Sequence, residues 1–279
     1  MEFIDKTSNK AAGDLLVDTF LNGRWNIVPN RYSDINYSTA RTHPFRLTLR
    51  DPLRSQLLLE QKNLCCYCMR SIDENTTTLE HIVTKSTKTQ VELDKYTHYP
   101  IIRDNVCLQS VFDSARVKLG TPPFPLEIAY ENLAASCKGD FPGGATYHIC
   151  NHKRGNDYIE TLFYISNINS EISYRKAGLL VSSNSLYDDT IITLNLNYDS
   201  LERIRQVWYH ISVEEIADIL SATSESDRNA ILTLNLISLP KARRIQLIAD
   251  FKTETFWNML MQYKWFHQYY RTIYPLEVR

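Results

Sequence analysis

The residues best suited to chemistry in this chain begin at Cys65-Cys66-Tyr67-Cys68, with Glu80-His81 twelve residues on. Cys65 and Cys68 stand in a CxxC spacing, which lets two thiolates grip one ion. A tetrahedral zinc needs two more ligands, and two more cysteines follow, Cys137 in "AASCKGD" and Cys150 in "YHICNHKRG". Turn-forming residues flank both, so their sulfurs can meet across the intervening "KGDFPGGATYH". Four thiolates leave a zinc no open position, which marks a structural site. The alternative is a set of buried free thiols. Cys66 and Cys107 are left as core or spare thiols, since a Cys66–Cys68 pair would be tighter than the usual ligand spacing.

A closed zinc gives His81 nothing to do. Glu80-His81, Asn132 in "YENLAASC" and His152 in "CNHKRGN" all recur beside the cysteines. An acid and two imidazoles brought together by one zinc knuckle would suit hydrolysis of a phosphodiester. His81 would take a proton from water. A divalent cation held by Glu80 and His152 would neutralise the phosphate and stabilise the leaving oxygen. Lys153 and Arg154 are placed to touch backbone phosphates, contacts that carry no base information.

The elements that must position these groups are partly legible. "DPLRSQLLLEQKN" predicts a helix, with Pro52 near its start and Leu57, Leu58 and Leu59 as apolar residues. "TTTLEHIV" is strand-like, and "NHKRGNDYIETLFYIS" predicts a helix after Cys150 that Gly155 bends or interrupts. "TPPFP" is a rigid bend. "EISYRKAGLLV" reads as a hairpin turning at Lys176–Gly178. "DSLERIRQVWYHI" has helical spacing, with Leu201, Ile204, Val207 and Trp208 on one face and Asp199 or Ser200 as N-cap. "SVEEIADIL", "PKARRIQLIADF" and "ETFWNMLMQYKWFHQYY" also predict helices. The first stretch has weak periodicity. Arg24, Arg31, Arg41, Arg46, Arg50 and Arg54 make residues 24–54 basic, either a solvated face or a surface contacting phosphates.

Three segments result: an N-terminal basic segment (1–54), a core with the chemistry (55–166, with an irregular insert at about 88–126), and a hairpin plus helical module (167–279). The 279 residues are 43% hydrophobic, 23% charged and 11% aromatic, enough apolar mass for a sizeable core. The formal net charge of -1 argues against a free-standing, high-affinity nucleic-acid binder but leaves room for a local basic face. Apolar runs are too short to span a bilayer, and "MEFIDKTSNK" lacks the pattern of a signal peptide. The expectation is a cytoplasmic protein without membrane partners.

In order along the chain, CxxC, Glu80-His81, Asn132-Leu133, Cys137 and Cys150-Asn151-His152-Lys153-Arg154-Gly155 resemble an HNH endonuclease of the zinc-stapled ββα-metal type. The resemblance implies an α+β fold with a ββα-metal core. By position, it implies His81 as general base and Asn132 as the residue fixing the loop that orients it. It implies Glu80 and His152 as ligands of catalytic Mg²⁺ or Mn²⁺, and Cys65, Cys68, Cys137 and Cys150 as ligands of structural zinc. Asn151 is the alternative to His152, and Asn105 to Asn132. Glu80 stands where the family more often has Asp, the stretch from His81 to Asn132 is long, and the second cysteine pair is split. A narrower resemblance, carried by "LLLEQKNLCCYC", "LEHIVTKS", "YENLAASC" and "ITLNLNYDSLERIRQ", is to the HNH subunit of Septu-type anti-phage systems, also found beside retrons. It implies a bacterial defence nuclease acting on DNA with an ABC-type ATPase subunit. Trp257, Trp265, Phe266, Tyr269 and Tyr270 fit either a docking helix or a helix in the chain's own core. Two other functions compete: a zinc module that binds nucleic acid or protein without cleavage, and a nuclease acting on RNA.

Overall fold

The computed structural model describes residues 1–24, 46–84, 91, 129–139, 148–213 and 254–274. The described residues form a mixed α+β protein with two small antiparallel sheets and a buried four-cysteine cluster. Most of the basic stretch, the insert at about 88–126 with its "TPPFP" bend, Asn105, Cys107, and the helices expected in "EEIADIL" and "PKARRIQLIADF" lie outside the described residues.

Helix α1 (Lys6–Arg24) begins at a side-chain cap. Asp5 Oδ1 accepts from the Thr7 and Ser8 amides at 3.0 and 3.1 Å, two donors the helix leaves without internal partners. Lys6 turns inward to Glu60, at the end of α2 (Asp51–Glu60), and lies over the Tyr130 ring. Gly13 is the contact point with the same ring: a Cβ there would fall among the Tyr130 ring carbons. Through these contacts α1 packs on the 3₁₀ turn Tyr130–Asn132.

Strand β1 (Thr77–His81) pairs antiparallel with β2 (Leu133–Cys137). The register sets Thr77 opposite Cys137 at one end and His81 opposite Leu133 at the other. Side chains alternate along β1, so Thr78 and Glu80 share one face. The short helix α3 (Cys150–Arg154) lies on that face: Asn151 Nδ2 donates to Thr78 Oγ1 at 3.3 Å, and Arg154 binds Glu80. The helix expected after Cys150 stops here. Gly155 has φ 58°, a left-handed conformation that ends the helix without a Cβ penalty.

The chain continues through α4 (Ile168–Glu171) into the predicted hairpin, β3 (Ile172–Tyr174) with β4 (Leu180–Ser182). Helix α5 (Ser185–Thr193) follows, capped by Asn184 Oδ1 accepting from the Leu186 amide. Helix α6 (Asp199–Val213) buries the predicted stripe of Leu201, Ile204, Val207 and Trp208. The aromatic tail forms two helices, α7 (Glu254–Met261) and α8 (Trp265–Thr272), separated by a turn at Gln262–Lys264. Trp265, Phe266, Tyr269 and Tyr270 are buried in the chain's own core, which favours the core alternative for this tail over the docking helix. Tyr174 meets Phe266 and Tyr269 edge-on, with centroids 4.9 and 5.0 Å apart. Arg205, fully buried, donates to the carbonyls of Gly178 and Leu196 and lies over the Tyr174 ring. One connected hydrophobic core joins Phe20, Leu57, Leu133, Trp208 and Tyr270, crossing all three expected segments. No helix among the described residues is long and apolar enough to cross a membrane.

Candidate metal centre and the acid–histidine strand end

Cys65 and Cys68 sit in a tight knuckle after α2. The Met69 amide donates to the Cys65 carbonyl (3.2 Å), the Cys65 amide to Arg70 (2.8 Å), and the Cys66 amide to Ala135 of β2 (3.0 Å). Met69 takes φ 63°, the left-handed conformation that closes the turn. Cys137 ends β2 and Cys150 starts α3, so the strand pair and the helix each deliver one further sulfur. The four Sγ atoms all lie within 4.8 Å of one another. Cys65–Cys150 is 4.0 Å and Cys68–Cys137 3.8 Å. Sulfurs held about 2.3 Å from one tetrahedral zinc would be roughly 3.8 Å apart, so the set fits that ion. All four are buried and Cys66 stays outside the set.

The protonation chemistry points the same way. Burial pushes the Cys65 thiol up, but hydrogen bonds from Cys137, Cys150, Cys66 and Cys68 outweigh it and hold Cys65 well below the usual thiol range. Burial, then hydrogen bonding with Cys137 and Cys65, pushes Cys150 well above that range. One thiol therefore ionises at its neighbours' expense. A bound dication removes that conflict and stabilises all four thiolates together.

Sequence spacing gave no sign of the groups around this cluster. Tyr263 Oη lies 3.9 Å from Cys68 Sγ, and Ser136 Oγ 3.7 Å from Cys65 Sγ. Next to Tyr263, Gln262 takes the Arg70 Nε donor at 2.7 Å, and its carbonyl accepts from the Ser71 amide at 2.6 Å. The break between α7 and α8 thus clasps the knuckle. Gln61 bridges the knuckle to β2, donating to the Leu64 and Ala135 carbonyls and accepting from the Ala135 amide. The sequence carried no cue to this break: "ETFWNMLMQYKWFHQYY" keeps helical spacing throughout, and only the structure shows the turn between the two helices.

At the other end of β1, Asn132 makes a two-pronged bond to Val83. Its Oδ1 accepts from the Val83 amide at 2.7 Å and its Nδ2 donates to the Val83 carbonyl at 3.0 Å. The Asn132 carbonyl accepts from Ile82 (3.0 Å). The segment just after His81 is therefore held on both sides by one residue, and His81 itself is 7% exposed.

The structure gives Glu80 and His152 different partners. Glu80 is buried, with its Oε1 taken by Tyr67 Oη at 2.8 Å and by the Arg154 guanidinium. At about 100° per residue, His152 lies on the side of α3 opposite Arg154, and hence away from Glu80. It is exposed and packs instead against His148, with ring centroids 3.5 Å apart. Asn151, the alternative to His152, is the residue that faces β1. Among the described residues, the four cysteines are the only group of three or more Cys, His, Asp or Glu gathered as metal ligands. Arg154 departs from its expected phosphate contact: it is 1% exposed and donates to Glu80 and to the His81 and Ile82 carbonyls (both 2.7 Å). Lys153 is exposed.

Compared with protein-family models, curated proteins and solved structures, the chain matches none.

Proposed function

We propose that this chain is an HNH-type endonuclease that hydrolyses DNA phosphodiester bonds, with His81 as general base and a structural zinc at Cys65, Cys68, Cys137 and Cys150. One observation carries the reading. Strand, strand and short helix follow in that order around the cysteine cluster, with Glu80-His81 ending the first strand and Asn132 gripping the segment beyond it. That order is what supports a ββα-metal core.

In this reading Asn132 and Arg154 fix the backbone at and just after His81, and His81 draws a proton from the attacking water. Lys153 would contact the phosphate backbone. The catalytic Mg²⁺ or Mn²⁺ that the resemblance implies would neutralise phosphate charge. Glu80 and His152 do not fit it jointly as they stand, so no step is assigned through it. The narrower resemblance extends the proposal to the effector of a bacterial anti-phage complex, working with an ABC-type ATPase subunit.

The test is relaxation of supercoiled plasmid by zinc-loaded protein with Mg²⁺ and then Mn²⁺, alone and with that ATPase. His81→Ala should stay folded and zinc-loaded while cleavage drops about 10²–10⁴-fold. A folded His81→Ala that cuts like wild type would sink the proposal. One observation favours a second reading. Glu80 already has a buried cationic partner in Arg154 and so is not offered to a catalytic cation, which favours a zinc module that binds nucleic acid or protein and cleaves nothing. DNA retention without cleavage under every metal and with the ATPase would support that module.

A further inference from the structure

The segment that follows Cys68 is gripped by the aromatic tail. Gln262 holds two of its residues: the side-chain Oε1 accepts from Arg70 Nε at 2.7 Å, and the carbonyl accepts from the Ser71 amide at 2.6 Å. The Arg70 carbonyl in turn accepts from the Cys65 amide at 2.8 Å, so Gln262 holds the residue that closes the turn carrying both ligands. Tyr263 is fully buried and brings its hydroxyl to 3.9 Å from Cys68 Sγ. The turn that presents Gln262 and Tyr263 is itself pinned. The Leu260 carbonyl, in the last turn of α7, accepts from the Tyr263 amide at 2.9 Å and from the Trp208 indole of α6 at 3.1 Å. The tail therefore reaches the knuckle from a fixed support.

We propose that Gln262 and Tyr263 are positioning residues of the metal centre and form a latch that sets how fast the metal leaves it. With the four sulfurs held as thiolates, the Tyr263 hydroxyl is the group that can donate to Cys68. Such a donor stabilises the charge on the sulfur and slows the protonation that would free it. The buried ring also keeps water and competing ligands away from that sulfur. Gln262 acts through the backbone. By holding Arg70 and Ser71 it keeps the Arg70 carbonyl on the Cys65 amide, so Cys65 and Cys68 stay aimed at one point. The latch rests on the zinc site of the reading above and on nothing about cleavage.

The test is zinc release from the loaded full chain into excess chromogenic chelator at neutral pH, without DNA. Tyr263→Phe keeps the ring and removes only the hydroxyl. It and Gln262→Ala should each speed release at least about tenfold, while Gln268→Ala, at an exposed position of α8, should leave the rate unchanged. In the cadmium-loaded chain Tyr263→Phe should also shift the cadmium NMR resonance, a signal that loosened packing alone would not move. An unmoved resonance, or release at the wild-type rate from folded Tyr263→Phe, would overturn the latch. Tyr263→Phe changes one hydroxyl, so the test stands even if Gln262→Ala does not fold. A wild-type chain that takes up no zinc would overturn the metal centre and the latch together. A chain that shows these effects and never cuts DNA would sink the nuclease reading alone.

Discussion

The two ends of β1 solve opposite problems with the same kind of material. At the Thr77 end the fold gathers four like groups, buried thiols that repel one another as anions and need a cation between them. At the His81 end it pairs opposites, with Glu80 and Arg154 neutralising each other inside the protein. The first end has the geometry to hold an ion. The second is complete as it stands, with the acid, the guanidinium, Tyr67 and two carbonyls mutually bonded. The lesson is that a row of ligand-type residues in sequence does not make a metal site. Convergence of lone pairs does, and among the described residues the cysteines are the group that converges.

The largest effect should break the first end. Cys65→Ser, or removal of zinc by a strong chelator, should abolish the cooperative unfolding transition seen by circular dichroism. Structural zinc is worth about 10–16 kcal/mol of apparent binding free energy in small domains. Because the thiolates must be deprotonated to bind, zinc release followed by a chromogenic chelator should rise as pH falls. Retention of a wild-type melting curve without zinc would break the comparison at once.

A smaller effect sharpens the other end. Arg154→Met strands a buried carboxylate and should cost about 3–5 kcal/mol in denaturant unfolding, while Arg154→Met with Glu80→Gln should recover much of it. If both cost the same, the ion pair is not what holds α3 on β1. Next comes Gly13→Ala. The added methyl must displace the Tyr130 ring, at about 1–3 kcal/mol. The shift should pass to the neighbouring Asn132, visible as faster amide exchange at Val83, with the zinc end left unchanged.

The smallest effect is at the start of α1. Hydrogen bonds from the Ser8 side chain and then its amide hold the Asp5 carboxyl below its usual range. A depressed carboxyl stabilises the fold above the unfolded-state value and loses that contribution as pH falls through the folded one. Asp5→Ala should therefore cost about 1 kcal/mol at neutral pH and progressively less on acidification, as thermal melts across pH would show.

The sequence made the cysteine end plain because four residues of one rare type, bounded by turns, have few structural uses. It also showed α2, the hairpin and the stripe on α6, where local periodicity matched the buried face. It hid α1, whose inward contacts include a lysine and a glycine and so give no apolar rhythm. Arg154 was misread for a related reason. A run of His152, Lys153 and Arg154 looks like one basic surface, but a helix turns successive residues by about 100°, and only two of the three face solvent. The clasp by Gln262 and Tyr263 was hidden by distance along the chain, since nothing local links an aromatic tail to a cysteine knuckle nearly two hundred positions earlier.

That clasp has a consequence for biosynthesis. All four cysteines leave the ribosome well before Tyr263 does, and at synthesis rates of about 5–20 residues per second the interval is on the order of ten seconds. Through that interval the nascent knuckle lacks its Tyr263 and Gln262 cover. Prompt zinc capture during translation would then decide how much newly made chain escapes thiol oxidation.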